Sequence, residues 1–240
     1  MKKDEVWFKK SRLLNPLIAF YFFVAFIEII AEYNRDYFFI SYAKPLAIPL
    51  LMGIYLIAAK VKNRYYLVAL LLAFIANLFL ISESLSSVIL GSLFLFLSQL
   101  IFIYIVIQKI KYPGASLMLI GSLPYACVCF LVAVLIYEKL GVEFYLFIIQ
   151  AILIIFLGGL SLANYFTKYN KANSQLFTCS FLLSIGQLLI ILQSSYANSG
   201  LLQALSTVFL VSGNYIFYLY VVGQEKKQKK YKINPLGVII

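Results

Sequence analysis

Apolar positions in this chain come in long unbroken stretches separated by short polar punctuation. Eight stretches stand out, over 13–31, 38–59, 65–81, 85–108, 115–137, 143–166, 176–193 and 200–222. A helix rises about 1.5 Å per residue and the hydrocarbon core of a bilayer is about 30 Å thick, so a span needs roughly 20 apolar residues. Most of the stretches reach that length. Strands do not fit: the runs are continuous rather than alternating, and an open sheet in lipid would leave backbone groups unpaired. The pattern predicts an all-α polytopic membrane bundle of about eight transmembrane helices. It forms a single domain, because the connections are too short to fold separately.

Composition supports that reading. The 240 residues are 63% hydrophobic and 12% charged, about half the charge share of a soluble domain. The net charge of +11 would suggest nucleic acid in a soluble protein. Here the basic residues cluster between apolar runs, so the membrane accounts for them and no nucleic-acid partner is expected. Lys2, Lys3, Lys9, Lys10 and Arg12 precede the first run. Lys60, Lys62 and Arg64 follow the second, Lys109 and Lys111 the fourth, and Lys168 and Lys171 the sixth; Lys226, Lys227, Lys229, Lys230 and Lys232 lie in a basic tail over 223–240. The intervening connections hold only Arg35 and Lys139, and Lys44 falls within a run. Such alternation predicts an even number of crossings with both termini cytoplasmic. The first run ends in Ile30-Ala31-Glu32-Tyr33, without a small-residue cleavage pattern, and reads as an uncleaved helix rather than a signal peptide.

Absent residue types narrow the chemistry. The chain has no histidine, which removes imidazole catalysis and His metal ligation. Cys127, Cys129 and Cys179 lie in apolar runs without ligand spacing and read as small packing residues. No metal and no other cofactor is expected. Pro45, Pro49 and Pro124 fall inside runs, where a missing N–H frees a carbonyl. Gly159 with Ala163, and Ser122 with Ala126, have the small-xxx-small spacing of close helix pairs. Trp7, Tyr33, Tyr37, Tyr65 and Tyr66 lie near run ends, as interfacial aromatics do.

Ionisable groups inside a membrane default to functional candidates because hydrocarbon solvates them poorly. Glu28 is the one carboxylate well inside a run, with Glu32, Glu83 and Glu143 near the outer surface. Run direction puts Glu28 and Lys44 at similar depth in the outer half, where they can form an ion pair. Asn77, Gln150 and Gln187 share that half, while Gln99 and Asn214 lie nearer the other side. A pocket collecting Glu28, Lys44, Asn77, Gln150 and Gln187 would suit a lipid headgroup. Each amide alone reads first as interhelical glue.

Several segments together resemble the YhhN family, whose eukaryotic relatives are the transmembrane lysoplasmalogenases. Ala43-Lys44-Pro45-Leu46-Ala47-Ile48-Pro49-Leu50 is similar to the family's Lys-Pro motif, and 69–80, 91–106 and 179–189 are similar to its third, fourth and seventh helices. Asn214-Tyr215-Ile216-Phe217-Tyr218-Leu219 resembles its closing Tyr-rich helix. The resemblance implies an eight-helix enzyme of the bacterial inner membrane that cleaves the vinyl ether of a lysophospholipid. It also implies substrate contacts by Lys44, Gln99 and Tyr218, to which shared depth in the outer half adds Gln150. The chain departs from the family where it matters: Asn77 and Gln187 stand where the family has aspartates, Gln99 where a histidine is common, and Tyr218 where a glutamine is usual. Amides cannot exchange protons near neutral pH. Either Glu28 serves as the acid or hydrolysis is absent, leaving a lipid-binding or sensing protein. A small transporter is a third reading, although the runs show no matching halves. The sequence leaves the oligomeric state open.

Overall fold

A computed structural model describes the backbone of residues 2–59, 61–82, 84–110, 112–139, 141–195 and 199–233, and the side chains of 13–225 apart from a few at helix ends. The side chains of Trp7, Glu83, Glu143 and the tail lysines lie outside the described residues. The described residues form eight helices: α1 (Lys2–Asn34), α2 (Tyr37–Ala58), α3 (Arg64–Phe79), α4 (Leu85–Ile107), α5 (Ala115–Ile136), α6 (Val142–Thr167), α7 (Lys171–Ser195) and α8 (Gly200–Ile233). Among the described residues no strand occurs.

Seven of these helices are long and apolar enough to cross a membrane. α3 is the exception, with 16 residues, or about 24 Å of rise. The ends show why the helices start where they do. The Asp36 side chain caps α2 by accepting from the backbone N–H groups of Phe38 and Phe39. Asn63 caps α3 by accepting from Tyr65 N–H, and Ser84 caps α4 by accepting from Ser87 N–H. Each cap satisfies donors that the first helical turn leaves open. Pro45 and Pro49 lie inside the continuous α2, and Pro124 inside α5. α8 continues well past the predicted limit at 222, as helix to Ile233.

α8 is the central element, packed on α7, α1 and α2. The outer circuit runs from α1 through α2, α3, α4 and α6 to α7, and α5 lies outside it against α6 and α7. α1 and α8 are antiparallel: the α8 start lies beside Tyr33 at the end of α1, and the Tyr21 hydroxyl donates to the Val211 carbonyl at 3.1 Å. The largest apolar core gathers Leu51, Ile54, Tyr55, Tyr66, Leu70, Ile105, Val106, Leu176 and Phe217. It lies toward the end where α8 finishes. A second core joins α5, α6 and α7 through Cys129, Ile136, Phe147 and Leu188.

The small residues noted in the sequence sit where α5 and α6 touch. A methyl group on Gly159 would stand 2.7 Å from Ser122 Cβ, and one on Gly121 would stand 2.7 Å from the Gly159 carbonyl oxygen. No side chain fits there, so backbones approach closely and gain dispersion contacts. Many large apolar side chains on the circuit and on α5 are exposed, among them Phe23, Phe26, Leu119, Phe130 and Ile152. A surface of that kind is stable against lipid and unstable in water. Cys129 and Cys179 are buried as expected, but Cys127 is exposed, on the outward face of α5.

Candidate functional site

The buried face of α1 reads Tyr21, Val24, Ala25, Glu28, Ala31 and Glu32, a helical stripe with steps of three and four. Two carboxylates therefore point inward with the apolar residues. Glu28 is 5% exposed and Glu32 is fully buried. Lys44 reaches across from α2 and donates to Glu32 Oε1 at 3.0 Å; its side chain remains 23% exposed. The methylene stem crosses apolar surface while the ammonium meets its partner.

This geometry corrects the ion pair read from the sequence. The partner of Lys44 is Glu32, one turn further along α1 than Glu28. Glu28 stays within Coulombic range of both Lys44 and Glu32. Equal depth favoured Glu28, but depth does not decide which face of a helix a side chain uses. The position of Glu32 near the end of the apolar run had suggested a surface residue; packing against α2 and α8 buries it instead. Both Glu28 Oε2 and Glu32 Oε2 are buried without a hydrogen-bond partner among the described residues. Two carboxyls share one ammonium, so the cluster holds spare acceptor capacity.

An apolar groove runs along the neighbouring flank of α1. Phe22, Ala25, Phe26 and Ile29 line it from α1, and Val208 and Val211 from α8, around about 220 Å³. Ile29 follows Glu28 in sequence and Ala25 lies one turn below it. Groove and carboxylates thus share one stretch of helix.

The predicted amides divide. Gln150 Nε2 donates to Gln187 Oε1 at 3.1 Å, joining α6 to α7. Asn77 lies partly buried on α3, which packs most closely on α4 and α2. The two positions where the resembled family has aspartates therefore sit on different helices, α3 and α7. Gln99 is partly buried on α4, and Asn214 partly buried on α8. Tyr218 is buried on α8 beside Tyr215.

A second polar cluster, which the sequence reading missed, lies at the opposite end of the bundle. The Tyr55 hydroxyl donates to Glu225 Oε1 at 2.6 Å and accepts from the Asn63 backbone N–H at 2.6 Å. Glu225 is 5% exposed, and its Oε2 has no partner among the described residues. Burial pulls the Lys109 ammonium below its ordinary range, while the nearby Glu225 carboxylate pulls it back up. Glu225 opens the run of tail lysines and so reads as surface. One signal marked it: Phe217, Tyr218, Val221, Val222 and Glu225 fall at helical spacing on the buried face of α8. Tyr66, expected at an interface, is fully buried.

No family model, curated protein or solved structure matches the chain. The functional reading therefore rests on geometry and on the resemblance of its motifs. Among the described residues no group of three or more metal-ligating side chains is found.

Proposed function

We propose that this chain is a lysoplasmalogenase-like membrane protein that binds a single-chain phospholipid, with Lys44 meeting the phosphate and the α1–α8 groove taking the hydrocarbon. The observation that carries this reading is the adjacency of a buried charge cluster and an apolar groove on one helix, α1. A lysolipid has the same two parts. The Lys44 ammonium has three donors, and Glu32 takes one of them. The partial exposure of Lys44 leaves it reachable from the surface.

Hydrolysis, which the family resemblance implies, falls to Glu28 if it occurs. Vinyl-ether hydration transfers a proton to the enol-ether carbon; water then adds to the oxocarbenium ion, and the hemiacetal collapses to an aldehyde and an alcohol. That sequence needs a titratable group beside the bound chain. Asn77 and Gln187 are amides on separate helices, whereas Glu28 is a carboxyl adjoining the groove.

The test is lysoplasmalogen binding and aldehyde release by purified protein in nanodiscs. Lys44→Ala is expected to weaken binding at least tenfold. Glu28→Gln is expected to leave binding within twofold of the wild type and to abolish any aldehyde release. A protein that is folded and binds neither a lysoplasmalogen nor an ester-linked lysophospholipid would sink the reading. Binding without release would retain the lipid site and remove the hydrolase.

A further inference from the structure

The two polar clusters stand at opposite ends of the bundle, and buried tyrosines occupy the interior between them. Starting from Glu32 and Glu28 on α1, the next polar group inward is Tyr21, two turns back along the same buried face. Its hydroxyl donates to the Val211 carbonyl at 3.1 Å and turns from it to take part in the thread. Tyr66 on α3 comes next, fully buried in the same core as Tyr21 and Tyr55. The Tyr55 and Tyr66 rings meet edge to face at 4.7 Å. Tyr55 then donates to Glu225.

Unpaired polar atoms follow the same line. Among the described residues, the buried side-chain atoms without partners are Glu28 Oε2, Glu32 Oε2, Tyr66 Oη, Tyr125 Oη, Tyr220 Oη and Glu225 Oε2. Four of these six belong to the series just traced, and Tyr220 flanks it on α8. Buried polar groups are nearly always satisfied, by protein or by ordered water. A packed apolar bundle needs none of them, since phenylalanine would fill the Tyr66 site without leaving a hydroxyl unpaired. Their recurrence on α1, α3 and α8 marks a polar thread through an otherwise hydrocarbon-compatible interior.

We infer that the series Glu32, Glu28, Tyr21, Tyr66, Tyr55 and Glu225 conducts protons through the bundle, with water joining the hydroxyls. A proton enters at one carboxylate; each oxygen along the thread accepts a proton on one side and releases one on the other, so that charge moves and no bond other than O–H changes. Lys44, partly exposed, opens the Glu32 end to the surface. Asn63 and Lys109, both part-exposed, border the Glu225 end. Tyr215, Tyr218 and Cys179 also face the thread from α8 and α7. The inference does not rest on lipid binding, and its assay contains no lysolipid, so either can fail alone.

The experiment uses the full chain in phosphatidylcholine liposomes with entrapped pyranine. A valinomycin-imposed potassium diffusion potential, negative inside, supplies the driving force. Wild-type vesicles are expected to acidify at least tenfold faster than protein-free vesicles. Tyr66→Phe, which keeps the ring and removes the hydroxyl, is expected to cut the rate at least fivefold, as is Glu225→Gln. Tyr104→Phe, on the lipid-facing side of α4, is the control and keeps the wild-type rate. Circular dichroism and a monodisperse elution profile establish that each variant is folded. Wild-type flux at the protein-free level overturns the proposal, and so does flux that Tyr66→Phe leaves unchanged.

Discussion

Two buried carboxylates, Glu32 and Glu225, meet the same difficulty at opposite ends of the bundle and resolve it differently. Glu32 is held by a charge, the Lys44 ammonium at 3.0 Å, with a second carboxyl one turn away. Glu225 is held by a neutral phenol, Tyr55 at 2.6 Å, with the Lys109 ammonium nearby. A charge-paired carboxylate has its counter-charge in place but depends on that one partner. A phenol-held carboxylate gains less from its hydrogen bond and loses less when the bond is broken. The comparison predicts that the two ends differ in their sensitivity to losing a partner.

The largest effect is expected from Lys44→Met, which strands Glu32 in the bundle interior. Leaving a buried charge uncompensated costs about 3 kcal/mol or more, and the partial exposure of Lys44 favours the lower figure. Chemical unfolding in detergent should show that loss. Adding Glu32→Leu to the same protein should recover most of it, because a buried pair replaced by apolar groups is often close to neutral. A double variant no better than Lys44→Met would break the account of this end.

Tyr55→Phe comes next. It removes the donor to Glu225 and the acceptor for Asn63 N–H, and the expected cost is about 1–3 kcal/mol, below that of Lys44→Met. A larger loss from Tyr55→Phe than from Lys44→Met would invert the comparison. The Gln150–Gln187 bond between α6 and α7 supplies a neutral reference. A double-mutant cycle with leucine at both positions should give a coupling of about 0.6 kcal/mol, the average for interhelical hydrogen bonds in a membrane protein.

The smallest effect is a pH dependence at the Glu225 end. Burial lowers the Lys109 proton affinity below its ordinary value of 10.5. Between the folded and unfolded values the unfolded chain therefore holds more protons. Stability should rise as pH increases through that window toward 10.5. Lys109→Arg, whose guanidinium stays charged there, should flatten the rise. Unfolding midpoints compared between pH 8 and 10 in the two proteins would detect it; equal slopes would remove Lys109 from the electrostatics of this cluster.

The bundle was legible in the sequence because lipid imposes a one-dimensional constraint. A helix that crosses or packs within hydrocarbon must be apolar over most of its length, and that shows in the order of residues. The eight apolar runs each correspond to a helix, with ends shifted where polar residues extend the helix beyond the apolar part, as in α8. Close packing at Gly159 and Ser122 was also legible, from spacing alone. The functional groups were only half legible. Glu28 and Lys44 stood out because charges are rare in such runs. Glu32, Glu225 and Tyr66 did not, because each lies at the edge of a run, where water and protein interior look alike in sequence.

What the sequence determined by itself is therefore the class of molecule: helical, built for a membrane, without histidine chemistry, and with few intramembrane charges. Tertiary structure alone decided which of those charges meet. Lys44 takes Glu32 rather than Glu28 because partner choice follows the angle around α1 and the packing of α2 against it. Gln187 takes Gln150 as its partner because α6 and α7 pack side by side. Tyr66 and Glu225 turn inward because neighbouring helices cover them. Hydropathy fixes the depth and length of a helix; azimuth and neighbours come from packing, which no single helix encodes.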